Sequence, residues 1–248
     1  MVGCGGTPGM IVLAPRARID VGVTLELDQD EAHHLRVRRA EQGMRVGIRN
    51  GVGLVGLGEL VSAEVRSARV LVTEVSYEQR PPTLELLVAS GDKDRFGWLV
   101  EKAAELGVTD IVPVDTERSR GVATRVGAAQ ISRLAVRALE ATKQSGAAWA
   151  PVVAEPVSFA GAISRGANGC RWLADADGEW LSAAAGQLRG DVSVLIGPEG
   201  GFTQDERAAA FASGWHPTRL AARVLRFETA AIVAAAAIAL ARGGGAHD

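Results

Sequence analysis

The stretch Leu195-Ile196-Gly197-Pro198-Glu199-Gly200-Gly201-Phe202-Thr203 limits the possible folds of this chain more than any other. The apolar run Val192–Ile196 reads as a buried strand, and it runs straight into a Gly/Pro turn. Thr203, with Glu206 three residues on, forms a capping box that opens a helix. A buried strand passing through a tight turn into a capped helix belongs to an α/β layer architecture. Gly200 and Gly201 allow positive φ and close approach of the backbone to a ligand. Amides in such a turn converge on polar ligand groups, and ligands of open α/β sheets sit at this strand end. The loop lacks the Gly-Lys-Ser/Thr of a Walker loop and is not GxGxxG. Taken alone, it also reads as a plain strand–helix connection.

The rest of the second half repeats the strand–helix alternation. Leu84–Ala89, Asp110–Val114, Arg171–Ala174 and Arg219–Leu220 read as further strands. Arg95–Leu106 is amphipathic and stops at Gly107; Val126–Thr142 and Glu228–Arg242 are further helices, and Gly214 ends the one opened by Thr203. The pattern predicts a mostly parallel sheet with helices on both faces. The first 80 residues differ. Short apolar runs at Val21–Leu27, Met44–Ile48, Val52–Leu60 and Ala68–Val75 are punctuated by Gly, Asn and Asp. One helix, Asp30–Arg39 with Asp30 as N-cap, accompanies them, which predicts a compact β-barrel. Glu78-Gln79-Arg80-Pro81-Pro82 cannot continue a strand ladder. The domain boundary is therefore expected here, giving 1–80 and 81–248. Residues 1–9 read as a disordered extension, with Met10 as an alternative start.

Charge excludes a general nucleic-acid coat. The net charge is −2; basic and acidic residues are equal in number over 1–82 and over 83–150, and 151–248 carries eight basic and ten acidic. RNA binding would therefore rest on local patches and shape. The two cysteines, Cys4 and Cys170, form no CxxC or Cys/His cluster. No zinc site is expected, and a reducing cytoplasm suits them. Neither Met10–Ala14 nor the Ala-rich Ala230–Ala241 is long enough to span a membrane.

A second element follows the first by about twenty residues: Leu220-Ala221-Ala222-Arg223-Val224-Leu225-Arg226-Phe227-Glu228-Thr229-Ala230. A short strand ends, a loop carries two arginines, and an acid and a threonine open a helix. By themselves Glu228 and Thr229 also read as helix starters and Arg226 as a solvated loop residue. GPEGG followed by RVLRxETA resembles the RsmE-type branch of the SPOUT methyltransferases, which modify N3 of a uridine in 16S ribosomal RNA. Other segments match: His33-His34-Leu35-Arg36-Val37-Arg38-Arg39, Lys93 with Glu101–Val108, Glu117-Arg118-Ser119, and Gln144-Ser145-Gly146. The similarity spans residues 10 to 242.

The resemblance implies a trefoil-knot catalytic domain behind a PUA-like barrel, working as a homodimer on 16S rRNA or the small subunit. Knots are exceptions to ordinary topology, so pattern alone does not imply one. It further implies that S-adenosylmethionine is held by Leu195, Ile196, Gly197, Pro198 and Gly200 on one wall. Leu220, Ala221, Leu225, Arg226 and Thr229 would form the second wall, and Leu173, Ala174 and Asp175 the third. Arg226 and Glu199 are the implied catalytic residues: Arg226 to stabilise a uridine anion, Glu199 or a water to accept the N3 proton. Arg16, His34, Arg36, Arg38, Lys93, Arg118, Gln144 and Ser145 are the candidate RNA contacts. No metal is implied.

The chain departs from the family pattern in places. Ala221-Ala222 stand for Gly-Pro, Phe227 for Thr, Lys143 for a glutamate, Ala147 for an arginine, and RVRR for RVLR at 36–39. The missing proline removes a fixed φ from the cofactor loop. The alternatives are a SPOUT enzyme with another RNA target, such as a ribose 2′-O position, and a non-catalytic RNA-binding protein that kept the fold.

Overall fold

The computed structural model describes residues 9–14, 18–165, 169–182 and 188–243. Arg16 and residues 1–8 of the expected extension lie outside them. Two compact units form. One combines the described residues up to Arg80 with Thr142–Trp149; the other combines Pro81–Ala141 with the chain from Ala150 onward.

In the first unit the chain order is β1 (Ile11–Leu13), β2 (Thr24–Leu27), α1 (Gln29–Val37), β3 (Arg45–Arg49), β4 (Leu54–Ala63) and β5 (Ala68–Tyr77). Their sheet runs β1-β3-β4-β5-β2. Among the described residues, β1 and β2 are its two edges, so the expected barrel is an open half-barrel. The apolar run read as Met10–Ala14 is the edge strand β1, paired parallel with β3. The long β4–β5 hairpin shifts register between Leu57 and Gly58 and again between Leu60 and Ser62. Such bulges bend and twist a sheet. The coiled inner face encloses Val12, Leu25, Leu35, Ile48, Leu54, Leu60 and Val70. The N-cap of helix α1 lies two residues earlier than its sequence suggests. Asp28, not Asp30, is the N-cap, accepting from the Asp30 and Glu31 amides.

Residues 142–149, which the sequence places in the second domain, join this first unit. Arg49 Nε donates to the Gly146 carbonyl at 3.0 Å, and the Gly53 amide donates to Ala148 O at 2.9 Å. Trp149 Nε1 donates to Glu78 O at 3.1 Å. Gly53 has φ +102°, and a Cβ there would lie 2.8 Å from the Trp149 ring. The backbone geometry and the indole both require glycine at that point.

The second unit carries β6 (Leu84–Ala89), α2 (Lys93–Glu105), β7 (Asp110–Asp115), α3 (Ile131–Ser145), β8 (Val152–Val153), β9 (Val157–Ser158), α4 (Phe159–Ser164), β10 (Cys170–Trp180), β11 (Val192–Ile196), α5 (Gln204–Ala212), β12 (His216–Arg219) and α6 (Phe227–Gly243). From Thr142 on, α3 belongs to the first unit. Strand order is β12-β10-β11-β6-β7-β8, with β9 beside β7, and every pairing is parallel. Strand alternation splits the core in two. Leu84, Leu86, Val88, Val192, Val194 and Ile196 pack with α2, α3 and α6. Leu87, Leu173 and Leu195 pack on the other face with Ala162 of α4 and Ala210 of α5. Both faces are therefore covered, as a parallel sheet requires.

Gly107 and Gly214 stop their helices with φ +75° and +83°. After β11 the chain crosses to the sheet edge as β12, beyond β10. It then returns over the sheet as α6, which packs on α2, β6 and β11. Ala231, Ala234 and Ala235 are fully buried along that helix, and their small side chains let it sit close to the sheet. Arg242 pins its end by donating to the carbonyls of Pro82, Thr83, Leu188 and Gly190. Burial pushes the Arg242 guanidinium below its ordinary pKa. Among the described residues no helix is long and apolar enough to cross a membrane, and no cluster of His, Cys, Asp or Glu is set to hold a metal ion.

Candidate active site

Three segments of the second unit meet at the C-terminal ends of β10, β11 and β12. They enclose a cavity of about 410 Å³. The first is the turn after β11. Gly201 adopts φ +68° and its amide donates to Pro198 O at 2.8 Å, closing the turn. Of the two glycines, only Gly201 has positive φ. At Gly200 a Cβ would lie 3.3 Å from Arg118 Cδ, a tight contact that the arginine side chain would have to yield to. Arg118 Nη1 in turn donates to the Gly200 carbonyl. A Cβ on Gly197 would lie 3.1 Å from the Phe202 ring. The capping box of Thr203 and Glu206 is present, and it does more than start α5. Glu206 Oε2 accepts from the Thr203 amide at 2.9 Å, while Oε1 accepts from the Glu117 amide at 2.8 Å. One buried carboxylate thereby ties the Glu117–Ser119 loop to the glycine turn.

The second segment is the end of β10. Pairing with β12 slips between Ala174 and Glu179, so residues 175–178 bulge toward the cavity. The Asp175 side chain is buried and ion-paired with Arg207 of α5 at 2.9 Å; it also accepts from the Asp177 amide at 3.0 Å. The third segment is the loop after β12, which supplies Leu220, Ala221, Arg223, Val224 and Leu225. Phe227 and Ala230 of α6 complete the wall. The Phe227 ring is 1% exposed, lies 6.4 Å from the Phe96 ring, and covers Gly91 so closely that a Cβ there would overlap it.

Of the residues assigned to the cofactor from sequence, Ala174, Asp175, Ile196, Gly197, Pro198, Gly200, Leu220, Ala221 and Leu225 line this cavity. Leu173 and Leu195 do not, because their side chains point into the core on the opposite sheet face. Arg226 and Thr229 are exposed and outside the lining. Arg226 is nonetheless flanked by Leu225 and Phe227, which are in it. Glu199 lines the cavity and pairs with Arg95 of α2 at 3.3 Å, both side chains about half exposed.

The proposed RNA contacts divide between the units. Arg36 and Arg38 are exposed at the end of α1, with His34 partly buried. Gln144 and Ser145 are exposed at the end of α3, where Ser145 Oγ donates to Thr142 O at 3.1 Å. Lys93 is exposed at the first residue of α2. Arg118 lines the cavity. Sequence reasoning missed Asp177, Arg207, Arg219 and Phe202 as cavity residues. The capping box placed α5, and a helix opening on the cavity brings its first turns with it. That signal was sufficient for Arg207, one turn in. Nothing local pointed to Arg219.

Comparison with known proteins agrees with this geometry. A model of the RNA methyltransferase domain matches residues 78–239, and a model of the RNA methyltransferase PUA domain matches residues 27–72. The chain is 31% identical to Ribosomal RNA small subunit methyltransferase E of Synechocystis over 235 residues, covering 92% of this chain and 76% of that protein. Among solved structures it resembles Ribosomal RNA small subunit methyltransferase E of Neisseria gonorrhoeae bound to S-adenosyl methionine. The TM-score is 0.81 at 26% identity, covering 94% of this chain and 97% of that one. A Legionella pneumophila methyltransferase in complex with S-adenosylmethionine gives TM-score 0.80 at 26% identity, covering 92% and 96%. Matched across its parallel-sheet domain by one family model and over most of its length by these relatives, the chain belongs to the ribosomal RNA small subunit methyltransferase E family, with a PUA-like half-barrel and a SPOUT-type RNA methyltransferase domain.

Proposed function

We propose that this chain methylates N3 of a uridine in 16S ribosomal RNA, using S-adenosylmethionine, and that it acts as a homodimer. The cavity at the ends of β10, β11 and β12 carries the reading. Its volume of about 410 Å³ lies within the roughly 300–1,000 Å³ usual for small-molecule sites. Its walls combine apolar Ile196, Leu220, Leu225 and Phe202 with the amides of a glycine turn, a donor set suited to a nucleoside carrying an amino-acid tail. The structures of relatives bound to S-adenosylmethionine support the same assignment.

When bound, S-adenosylmethionine supplies a methyl group on a sulfonium, which departs as a neutral thioether. The chain's own work is alignment and exclusion of water. Ile196, Leu220, Leu225 and Phe202 exclude solvent, while Gly197 and Gly200 leave the backbone open to the ligand. The Asp175–Arg207 pair fixes the third wall. The N3 proton of uridine must leave. Glu199, ion-paired with Arg95, accepts it directly or through water. Arg226 makes no side-chain hydrogen bond among the described residues. In this reading its guanidinium turns to the O2 or O4 of the uridine anion. The target base must be unpaired and extruded for its N3 edge to be reached.

Calorimetric titration with S-adenosylmethionine tests the cavity. Binding by the native chain, weakened by Gly200→Val, is the expected result; no heat of binding in the native chain would sink the proposal. Mass spectrometry of treated 16S rRNA then separates N3-methyluridine from a 2′-O-methyl product. Arg226→Ala is expected to slow single turnover without changing RNA affinity. Sedimentation at micromolar concentration tests the homodimer.

A further inference from the structure

The cofactor loop after β12 lacks the Gly-Pro step of the resembled family, having Ala221 and Ala222 instead. Nothing in those two residues fixes φ. Yet the loop must hold Leu220, Ala221 and Leu225 against the cavity. The structure offers a replacement. Arg219, the last residue of β12, folds its guanidinium forward over its own loop. Nε donates to the Ala221 carbonyl at 3.1 Å and Nη2 to the Ala222 carbonyl at 3.4 Å. A planar, charged fork that spans two successive carbonyls restrains both peptides at once.

The guanidinium is itself held. Its Cζ lies 4.9 Å from the centroid of the Trp180 ring, within cation–π range. Trp180 pairs in register with Arg219 on the last rung of β10 and β12. That rung forms because Gly178 lets the strands close: a Cβ there would lie 2.5 Å from the Thr218 amide nitrogen. Thr218 Oγ1 adds a hydrogen bond to Glu179 O at 3.2 Å. The bulge that forms one cavity wall therefore ends in the platform that steadies the other.

We infer that Arg219, stacked on Trp180, is a positioning residue that replaces the absent proline in shaping the cofactor loop. The inference rests on the cofactor reading of the cavity for its functional consequence, but not for its structural one. Because Arg219 also lines the cavity, direct contact with the ligand is the competing role.

The test combines hydrogen exchange of the loop amides at 221–226 with calorimetric titration of S-adenosylmethionine. Both are performed on the full chain. Arg219→Ala is expected to speed loop exchange and to weaken binding roughly tenfold, the effect of losing one to two net hydrogen bonds. Trp180→Leu, which spares the arginine, should move both readouts the same way by less. Adding Ala222→Pro to Arg219→Ala should restore slow exchange and most of the affinity, since proline restrains the loop without supplying charge. Unchanged loop exchange in Arg219→Ala overturns the inference. So does a loss of affinity that Ala222→Pro does not rescue, which would mark Arg219 as a direct ligand contact. If the native chain binds no S-adenosylmethionine, the proposed function fails, while the exchange data still decide the role of Arg219.

Discussion

Lys143 Nζ lies 2.6 Å from Glu31 Oε1, with both side chains only 7% exposed. The lysine stands where the resembled family has a glutamate, and the structure gives that departure a partner in α1. A charge buried this deeply is tolerated because it is paired. Removing one member strands the other. Lys143→Ala should cost about 3–5 kcal/mol in unfolding free energy, whereas replacing both residues with apolar side chains of similar size should be near neutral. Urea unfolding of the two single variants and the double variant measures this.

Phe227 and Gly91 are fitted to each other. Gly91→Ala drives a methyl group into the ring and should destabilise by about 1–3 kcal/mol. Phe227→Thr empties a fully buried site and should cost about 3 kcal/mol or more. The two changes touch the same space, so the double variant should cost less than their sum, a coupling that a double-mutant cycle by chemical denaturation would read.

Asp92 caps α2 and is held below the ordinary carboxylate range, first by the Thr124 hydroxyl and then by the Arg95 amide. A depressed folded pKa means stability that is present above the unfolded value, about 3.9. That contribution is lost as pH falls through the folded value. Asp92→Ala should therefore lower stability by about 1 kcal/mol at neutral pH. The difference in Tm from the native chain should shrink in melts recorded below pH 4.

Glu206 satisfies two backbone amides that lie 86 residues apart in sequence, at Glu117 and Thr203. Glu206→Ala leaves both without their acceptor, at about 1–3 kcal/mol each if they stay buried. Glu206→Gln, with one carbonyl oxygen, should lose less. Faster hydrogen exchange at 117–119 and 200–206 together, rather than at one site alone, is the expected signature in the alanine variant.

Much of the second unit was legible because its signals are local. Leu84–Ala89 and Val192–Ile196 are buried strands with the bounds the sequence suggests, since a mostly apolar run, interrupted only by Glu85 in one and Ser193 in the other, leaves little choice when turn residues flank it. The Thr203–Glu206 box is local by construction. Helix α3 starts later than its apolar spacing predicts, at Ile131 instead of Val126. Val126 is buried, but Gly127 and a short 3-10 turn at Ala128–Gln130 precede the helix proper, and apolar spacing alone does not register that interruption. The short β8, β9 and α4 went unread, as two-residue strands carry no period.

The sequence by itself determined the parallel α/β layer, the glycine turn at its edge and the loop with two arginines that follows. Each depends on residues within a few positions of one another. Only the tertiary structure decided which side chains meet at the cavity. Leu195 and Ile196 are equally apolar neighbours, and a strand buried on both faces gives no sign of which parity faces the ligand; helices α4 and α5 claimed Leu195. Arg118, read as an RNA contact, reaches the Gly200 carbonyl because Glu206 draws in its loop. Lys143 joins the first unit across 112 positions of chain. Burial of a charge and closure of a loop depend on what packs against them from elsewhere in the chain, and no local pattern encodes that.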